Sequence, residues 1–186
     1  MQRPCVGFLH GTGGRPTGNK GAWLSQRFHL WGPHYSTDGS LDDAVKIVAA
    51  YSDEWSASGE PPPRVLVGSS WGGALLWRLM QLGLWEGPAV FLAPAFSLAS
   101  EFGSMTTPLP MASATVSPTW LLHGWSDDVV TVDESLTFCR MHPHARLLTA
   151  GWGHRLQEVL DDGTLQMVLD QLLSTDTPSS SATDRT

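Results

Sequence analysis

The sequence predicts an α/β fold: one mostly parallel sheet of about six strands, flanked by helices on both faces. Three observations carry that prediction. Short apolar runs rich in Val, Leu and Phe alternate with stretches whose apolar residues recur at helical spacing, and chains that alternate in this way build parallel sheets joined by helices. The runs are apolar throughout rather than at every second residue, as strands buried on both faces require. With 186 residues, 41% of them hydrophobic, the chain is long enough for one sizeable core, so residues 1–173 are expected to form a single domain. Residues 174–186 are almost all Ser, Thr, Asp and Pro and are expected to be a disordered tail.

The elements follow in order. Cys5-Val6-Gly7-Phe8-Leu9 reads as a buried strand, and His10-Gly11-Thr12-Gly13-Gly14 as a loop built for tight turns. A short helix is expected over residues 23–28 and a second strand over 28–31. Ser40 is placed to cap a helix carrying Leu41, Ala44, Val45, Val48 and Ala49, with Asp42 and Asp43 in its favourable first turn. Pro61-Pro62-Pro63 punctuates the chain before the strand Val65-Leu66-Val67, and Leu75, Leu76, Leu79, Met80 and Leu82 then repeat as one helix face. Gly87-Pro88 precedes the strand Ala89-Val90-Phe91-Leu92. Residues 94–118 lose periodicity, and a loop of that length often lies over a functional site. The strand Thr119-Trp120-Leu121-Leu122-His123-Gly124 follows, then a helix over 132–141, a final strand over 145–149, and a closing helical region over 155–173 interrupted at Asp162-Gly163.

Composition excludes several function classes. Eighteen acidic residues against eleven Lys and Arg give a formal charge of −7, which disfavours a nucleic-acid or anionic-membrane partner. Two cysteines are too few to staple a fold; Cys5 is expected to be a small buried hydrophobe. No opening segment reads as a signal peptide and no run is long enough to span a membrane, so a soluble cytoplasmic protein is expected. His29, His34, His142 and His144 lack the spacing of a metal site. The first glycine loop has neither the Gly-Lys-Ser/Thr ending of a phosphate loop nor the spacing of a dinucleotide fingerprint, so no cofactor is indicated. Nine tryptophans suit a hydrophobic pocket, a dimer patch or satellite packing, and leave the oligomeric state open.

The chemistry is concentrated at three strand ends. Gly68-Ser69-Ser70-Trp71-Gly72 lies between an apolar strand and an apolar helix, the setting of a G-x-S-x-G turn that points a serine hydroxyl away from both elements. Ser70 has the required spacing from the glycines; Ser69 does not. Gly68 and Gly72, without Cβ atoms, let strand and helix approach while the serine takes an unfavourable backbone geometry. A serine hydroxyl needs a base, which His154 in Gly151-Trp152-Gly153-His154 supplies, and a carboxylate to orient that base. Asp127 is preferred over Asp128 for the last role, being nearer its strand end and followed by residues that can turn back to the core. A tetrahedral intermediate also needs donors, and the backbone amides of Trp71 and Thr12 are the natural pair. His10 is expected to pack beneath the first loop as scaffold, and Trp71 to wall the pocket.

These pieces in this order resemble the α/β-hydrolase superfamily: Phe8-Leu9-His10-Gly11, Gly68-Ser69-Ser70-Trp71-Gly72-Gly73, Leu92-Ala93-Pro94, His123 to Val130, and Gly151-Trp152-Gly153-His154. Within that superfamily the chain resembles the small, nearly lidless serine hydrolases, of the YqiA-like and retinoblastoma-binding-protein-9-like kinds. That resemblance implies carboxylesterase activity on small esters through an acyl-enzyme, without a cofactor. Residues 94–118 are too short for a full lipase lid and long enough to wall a pocket. The same triad serves a thioesterase or an amidase. A basic rim would favour a thioester on a pantetheine carrier, for which Arg15, Lys20, Arg27 and Arg78 are loose candidates. A catalytically quiet binding protein of the same fold is the alternative outside enzymology.

Overall fold

The computed structural model describes residues 3–99 and 117–174. Six strands, β1 (Cys5–Leu9), β2 (His29–Trp31), β3 (Val65–Ser69), β4 (Ala89–Leu92), β5 (Thr119–Gly124) and β6 (Arg146–Ala150), form one sheet in the order β2-β1-β3-β4-β5-β6. Every neighbouring pair is parallel. Among the described residues six α-helices connect or follow the strands: α1 (Asn19–Arg27), α2 (Leu41–Ala57), α3 (Trp71–Gln81), α4 (Val132–Met141), α5 (Glu158–Asp161) and α6 (Thr164–Ser174). Most of residues 94–118, expected to wall the pocket, and residues 175–186, expected to be tail, lie outside the described residues.

The continuous apolar strands are explained by two cores, one on each face. Leu66, Phe91 and Leu121 point into a core shared with Val45 and Val48 of α2, Leu75 and Leu79 of α3, and Phe138 of α4. Their strand neighbours Val65, Val67, Val90, Leu92 and Leu122 point the other way, against Leu24 of α1, Val159 of α5 and Leu165, Val168 and Leu169 of α6. Burial of each such side chain contributes about 1.5–3 kcal/mol. The cap at Ser40 forms as expected: its Oγ accepts the Asp43 amide at 3.1 Å.

Several boundaries differ from the sequence expectation. Helix α1 begins at Asn19 rather than at residue 23, because Gly21 lies where a Cβ would fall 1.6 Å from the Pro16 carbonyl oxygen; a glycine that permits close crossing reads in sequence as loop. Strand β6 runs over Arg146–Ala150, one residue later than expected, since Ala145 closes a turn onto the His142 carbonyl and Ala150 pairs with Gly124. The closing helices start at Glu158, not 155, and α6 runs through Ser174. Of the tryptophans left open, Trp31 is buried, Trp23 and Trp152 pack at the edge of a core, and Trp55 and Trp85 donate their indole N–H to the carbonyls of Pro61 and Pro88.

Strand order fixes where a site can form. The chain passes from β1 to β2 on one side and then crosses to β3 on the other, so the loops after β1 and β3 diverge and leave a crevice at the carboxyl ends of those strands. Ser70 follows β3, and the first glycine loop follows β1.

Candidate active site

Ser70 occupies the turn between β3 and α3 with φ 52° and ψ −115°. A non-glycine residue pays about 1–3 kcal/mol to sit in such a sparsely populated region, so the surroundings must impose it. They do so from four directions. The Ser70 amide donates to Leu92 at 2.9 Å, while its carbonyl accepts from Gly73, Ala74 and Ala95 at 2.8, 3.2 and 3.1 Å. A Cβ on Gly68 would lie 2.6 Å from the Gly72 carbonyl oxygen, and one on Gly72 would lie 2.1 Å from that of Leu9. Both glycines are therefore required for α3 to start so close to β3 and β1, as the motif implies.

Asp127 and His154 reach the same place from β5 and β6. The loops after these strands are joined by the amides of Trp125 and Ser126, which donate to the carbonyls of Ala150 and Trp152 at 2.8 and 3.2 Å. His154 follows in a turn closed by the Leu156 amide on the Gly153 carbonyl, with Leu156 at φ 47° and fully buried as its anchor. The ring is thereby held between two partners. Nδ1 lies 2.8 Å from Asp127 Oδ2, and Nε2 lies 3.1 Å from Ser70 Oγ.

The tautomer follows from the partners. A carboxylate only accepts, so Nδ1 carries the proton and the Nε2 lone pair faces the Ser70 hydroxyl. The Asp127 side chain has no exposed surface, against 19% for His154. Burial alone would raise its carboxyl, but the amides of Val130 and Val129, which donate to Oδ1 at 2.8 and 2.9 Å, and the His154 ring outweigh that and hold it below its ordinary value. Asp128 is exposed and makes none of these contacts.

One residue of this arrangement carries no role in the sequence reading. His123, fully buried at the end of β5, donates from Nε2 to the Val130 carbonyl at 2.9 Å and lies 3.2 Å from Asp127 Oδ2, while Nδ1 faces the Ser135 hydroxyl of α4 at 2.7 Å. It braces the loop that bends Asp127 toward His154. The available signal was a histidine ending an otherwise apolar strand, with a serine at the start of the next helix.

Ser70 and His154 open into a cavity of about 490 Å³, lined also by Phe8, His10, Gly11, Thr12 and Val129 and by the cations Arg15, Lys20 and Arg155. The Trp71 amide, first of α3, and the Thr12 amide make no hydrogen bond to protein among the described residues, and the former lies at the positive end of the helix dipole. His10 stacks on Tyr35 at 4.2 Å, and its Nδ1 donates to the Gly11 carbonyl at 3.1 Å, in keeping with a scaffold role. The Trp71 ring, expected to wall this pocket, instead packs 5.5 Å from Tyr35 and lines a separate cleft with Leu41 and Arg78. The short β3–α3 turn aims Ser70 out of the sheet and carries the next side chain to the far side. Of the four loose cations, Arg15 and Lys20 line the cavity, whereas Arg78 pairs with Asp42 at 2.9 Å and Arg27 lies over the Trp23 ring.

By sequence, no protein-family model and no curated protein matches the chain. Solved structures do. Mouse alpha/beta hydrolase domain-containing protein 10 superposes with a TM-score of 0.73 at 18% identity, covering 94% of this chain and 92% of its own. The Paleococcus ferrophilus monoacylglycerol lipase gives 0.64 at 17% identity over 94% and 96%. Est1E from Butyrivibrio proteoclasticus gives 0.67 at 13% identity over 92% and 89%. At these identities the likeness is one of fold: the chain has the α/β-hydrolase fold.

Proposed function

We propose that the protein is a serine hydrolase that cleaves small carboxylic esters through an acyl-enzyme intermediate. The observation that carries this reading is the hydrogen-bonded series from the buried Asp127 carboxylate through His154 to Ser70, opening into a cavity at the switch point of the sheet. The names of structural neighbours, a monoacylglycerol lipase and an esterase among them, lend it support.

In this mechanism Ser70 Oγ attacks the ester carbonyl carbon as its proton passes to His154 Nε2. The carbonyl oxygen becomes an oxyanion, held by the amides of Trp71 and Thr12; a fixed donor of this kind is worth about 2.7–4 kcal/mol in the transition state. Asp127 keeps the ring in the required tautomer and stabilises the imidazolium. Collapse breaks the bond to the leaving oxygen, which takes the proton from Nε2. Water, deprotonated by the same nitrogen, then releases the acid and frees Ser70. His123 acts through Asp127 as a positioning residue.

The test is hydrolysis of p-nitrophenyl esters from acetate to decanoate, with Ser70→Ala alongside. Turnover by the wild type that vanishes in Ser70→Ala is expected, with an optimum at short acyl chains. Equal rates in the two proteins would overturn the reading.

A further inference from the structure

The cavity that holds Ser70 has a charge opposite to that of the protein. Eleven Lys and Arg residues face eighteen acidic ones in the whole chain, yet the lining, among the described residues, contains Arg15, Lys20 and Arg155 and no carboxylate. Four cations elsewhere have partners: Lys46 pairs with Asp43 and Arg78 with Asp42, each at 2.9 Å, and Arg27 and Arg146 lie over tryptophan rings. None of the three lining cations pairs with a carboxylate among the described residues. Lys20 and Arg155 also sit close enough to oppose one another. Burial, and then the Arg155 guanidinium, push the half-buried Lys20 ammonium below its ordinary value.

The backbone adds charge of the same sign. Helix α1 starts at this cavity, with Gly18 as a cap that offers no side chain and no acidic residue in its first turn, so the positive end of its dipole is uncompensated. Asn19 Nδ2 donates to Gln157 Oε1 at 3.3 Å, tying the start of α1 to the loop that carries Arg155. Arg155 directly follows His154, the residue that must hand a proton to the departing atom.

Resting on the hydrolase reading above, we propose that the substrate is an ester or thioester whose alcohol or thiol half carries an anionic group, a phosphate or a carboxylate, seated among Lys20, Arg155 and Arg15. The scissile C–O or C–S bond breaks, the departing oxygen or sulfur takes the proton from His154 Nε2, and water completes release of the acyl group. The anionic half leaves on the basic side. The acyl half lies toward Phe8 and the exposed Val129.

Acetate esters of phenols that differ only in the para group test this: a neutral carboxamide, a carboxylate and a phosphate monoester, each rate divided by its uncatalysed hydrolysis. In the wild type, kcat/KM for one or both anionic esters is expected to exceed the neutral one by about tenfold or more, a charge-assisted hydrogen bond being worth about that factor, mostly through KM and shrinking with added salt. Whichever anion gains more names the group. In the Lys20→Met/Arg155→Gln double variant the ratio should fall toward one, and it should survive in Arg27→Gln, which lies outside the cavity. The ratio within each variant is the readout, so a general loss of folded protein cancels. Ser70-dependent turnover with no anionic preference, a preference that the double variant leaves intact, or a preference for mono-p-nitrophenyl succinate over the butyrate ester would overturn the proposal and leave the hydrolase reading standing. Absence of Ser70-dependent turnover of every ester would remove both.

Discussion

Replacement of Gly124 by Ala probes how tightly the loops that carry Asp127 and His154 are joined. A Cβ at Gly124 would lie 1.7 Å from the Trp152 carbonyl oxygen, 2.4 Å from its carbon and 3.0 Å from its Cα. All three are backbone atoms, so no rotamer change relieves the clash, and the loop after β6 must retreat by more than about 1 Å. His154 is two residues beyond Trp152, with Nε2 3.1 Å from Ser70 Oγ. Displacement of a reacting group by about 1 Å costs on the order of 10²-fold, so kcat/KM on p-nitrophenyl acetate is expected to fall by that factor. Overpacking should also lower stability by about 1–3 kcal/mol. Gly151 supplies the control from the same loop, since nothing lies within 4 Å of a Cβ built there; Gly151→Ala is expected to stay within about 0.5 kcal/mol of wild type in stability and to keep its activity. Spectrophotometric kinetics and urea unfolding of the two variants decide the matter. Folded Gly124→Ala with wild-type kcat/KM, or an equal loss in Gly151→Ala, would refute the coupling.

Two further outcomes are expected. Asp127→Asn should lower kcat by on the order of 10⁴-fold, because the amide no longer fixes the base tautomer, while Asp128→Asn leaves it nearly unchanged; the reverse pattern in steady-state kinetics would reassign the acid. Stability should fall on acidification. His10 and His142 are lowered below the ordinary 6.5 chiefly by burial, and Asp127 lies below the ordinary 3.8; groups whose folded pKa is depressed stabilise fully above the unfolded value and lose that contribution as pH falls through the folded one. The urea midpoint should therefore decline from about pH 7 to pH 5 as the two histidines are drawn to protonate in the unfolded chain, and decline further as Asp127 titrates. A midpoint that is flat or rises over the first interval would contradict the assignment.

Much of this was legible in the sequence because the relevant signals are local. The elbow declares itself through Gly68 and Gly72, whose missing Cβ atoms the close packing of α3 on β3 and β1 requires. Ser40 and residues 132–141 behave as their local chemistry dictates. What escaped is set by tertiary contact. Gly21 reads as a loop residue until Pro16 is seen beneath it. The roles of Trp71 and His123 depend on where the chain turns after β3 and on how β5 meets α4. The sequence offers Arg15 and Lys20 as rim cations but not Arg155, for the same reason: it is 135 positions from Lys20, and the loop after β6 brings it to the cavity beside the start of α1.

The measurement that tests the central claim most directly is covalent labelling by a serine-directed fluorophosphonate, with the adduct mapped by peptide mass spectrometry. The account predicts a single adduct on Ser70, formed on the order of 10²-fold or more slowly in His154→Ala, where the general base is gone. Folded protein that takes no label, or takes it on Ser69 or any other residue, would contradict it.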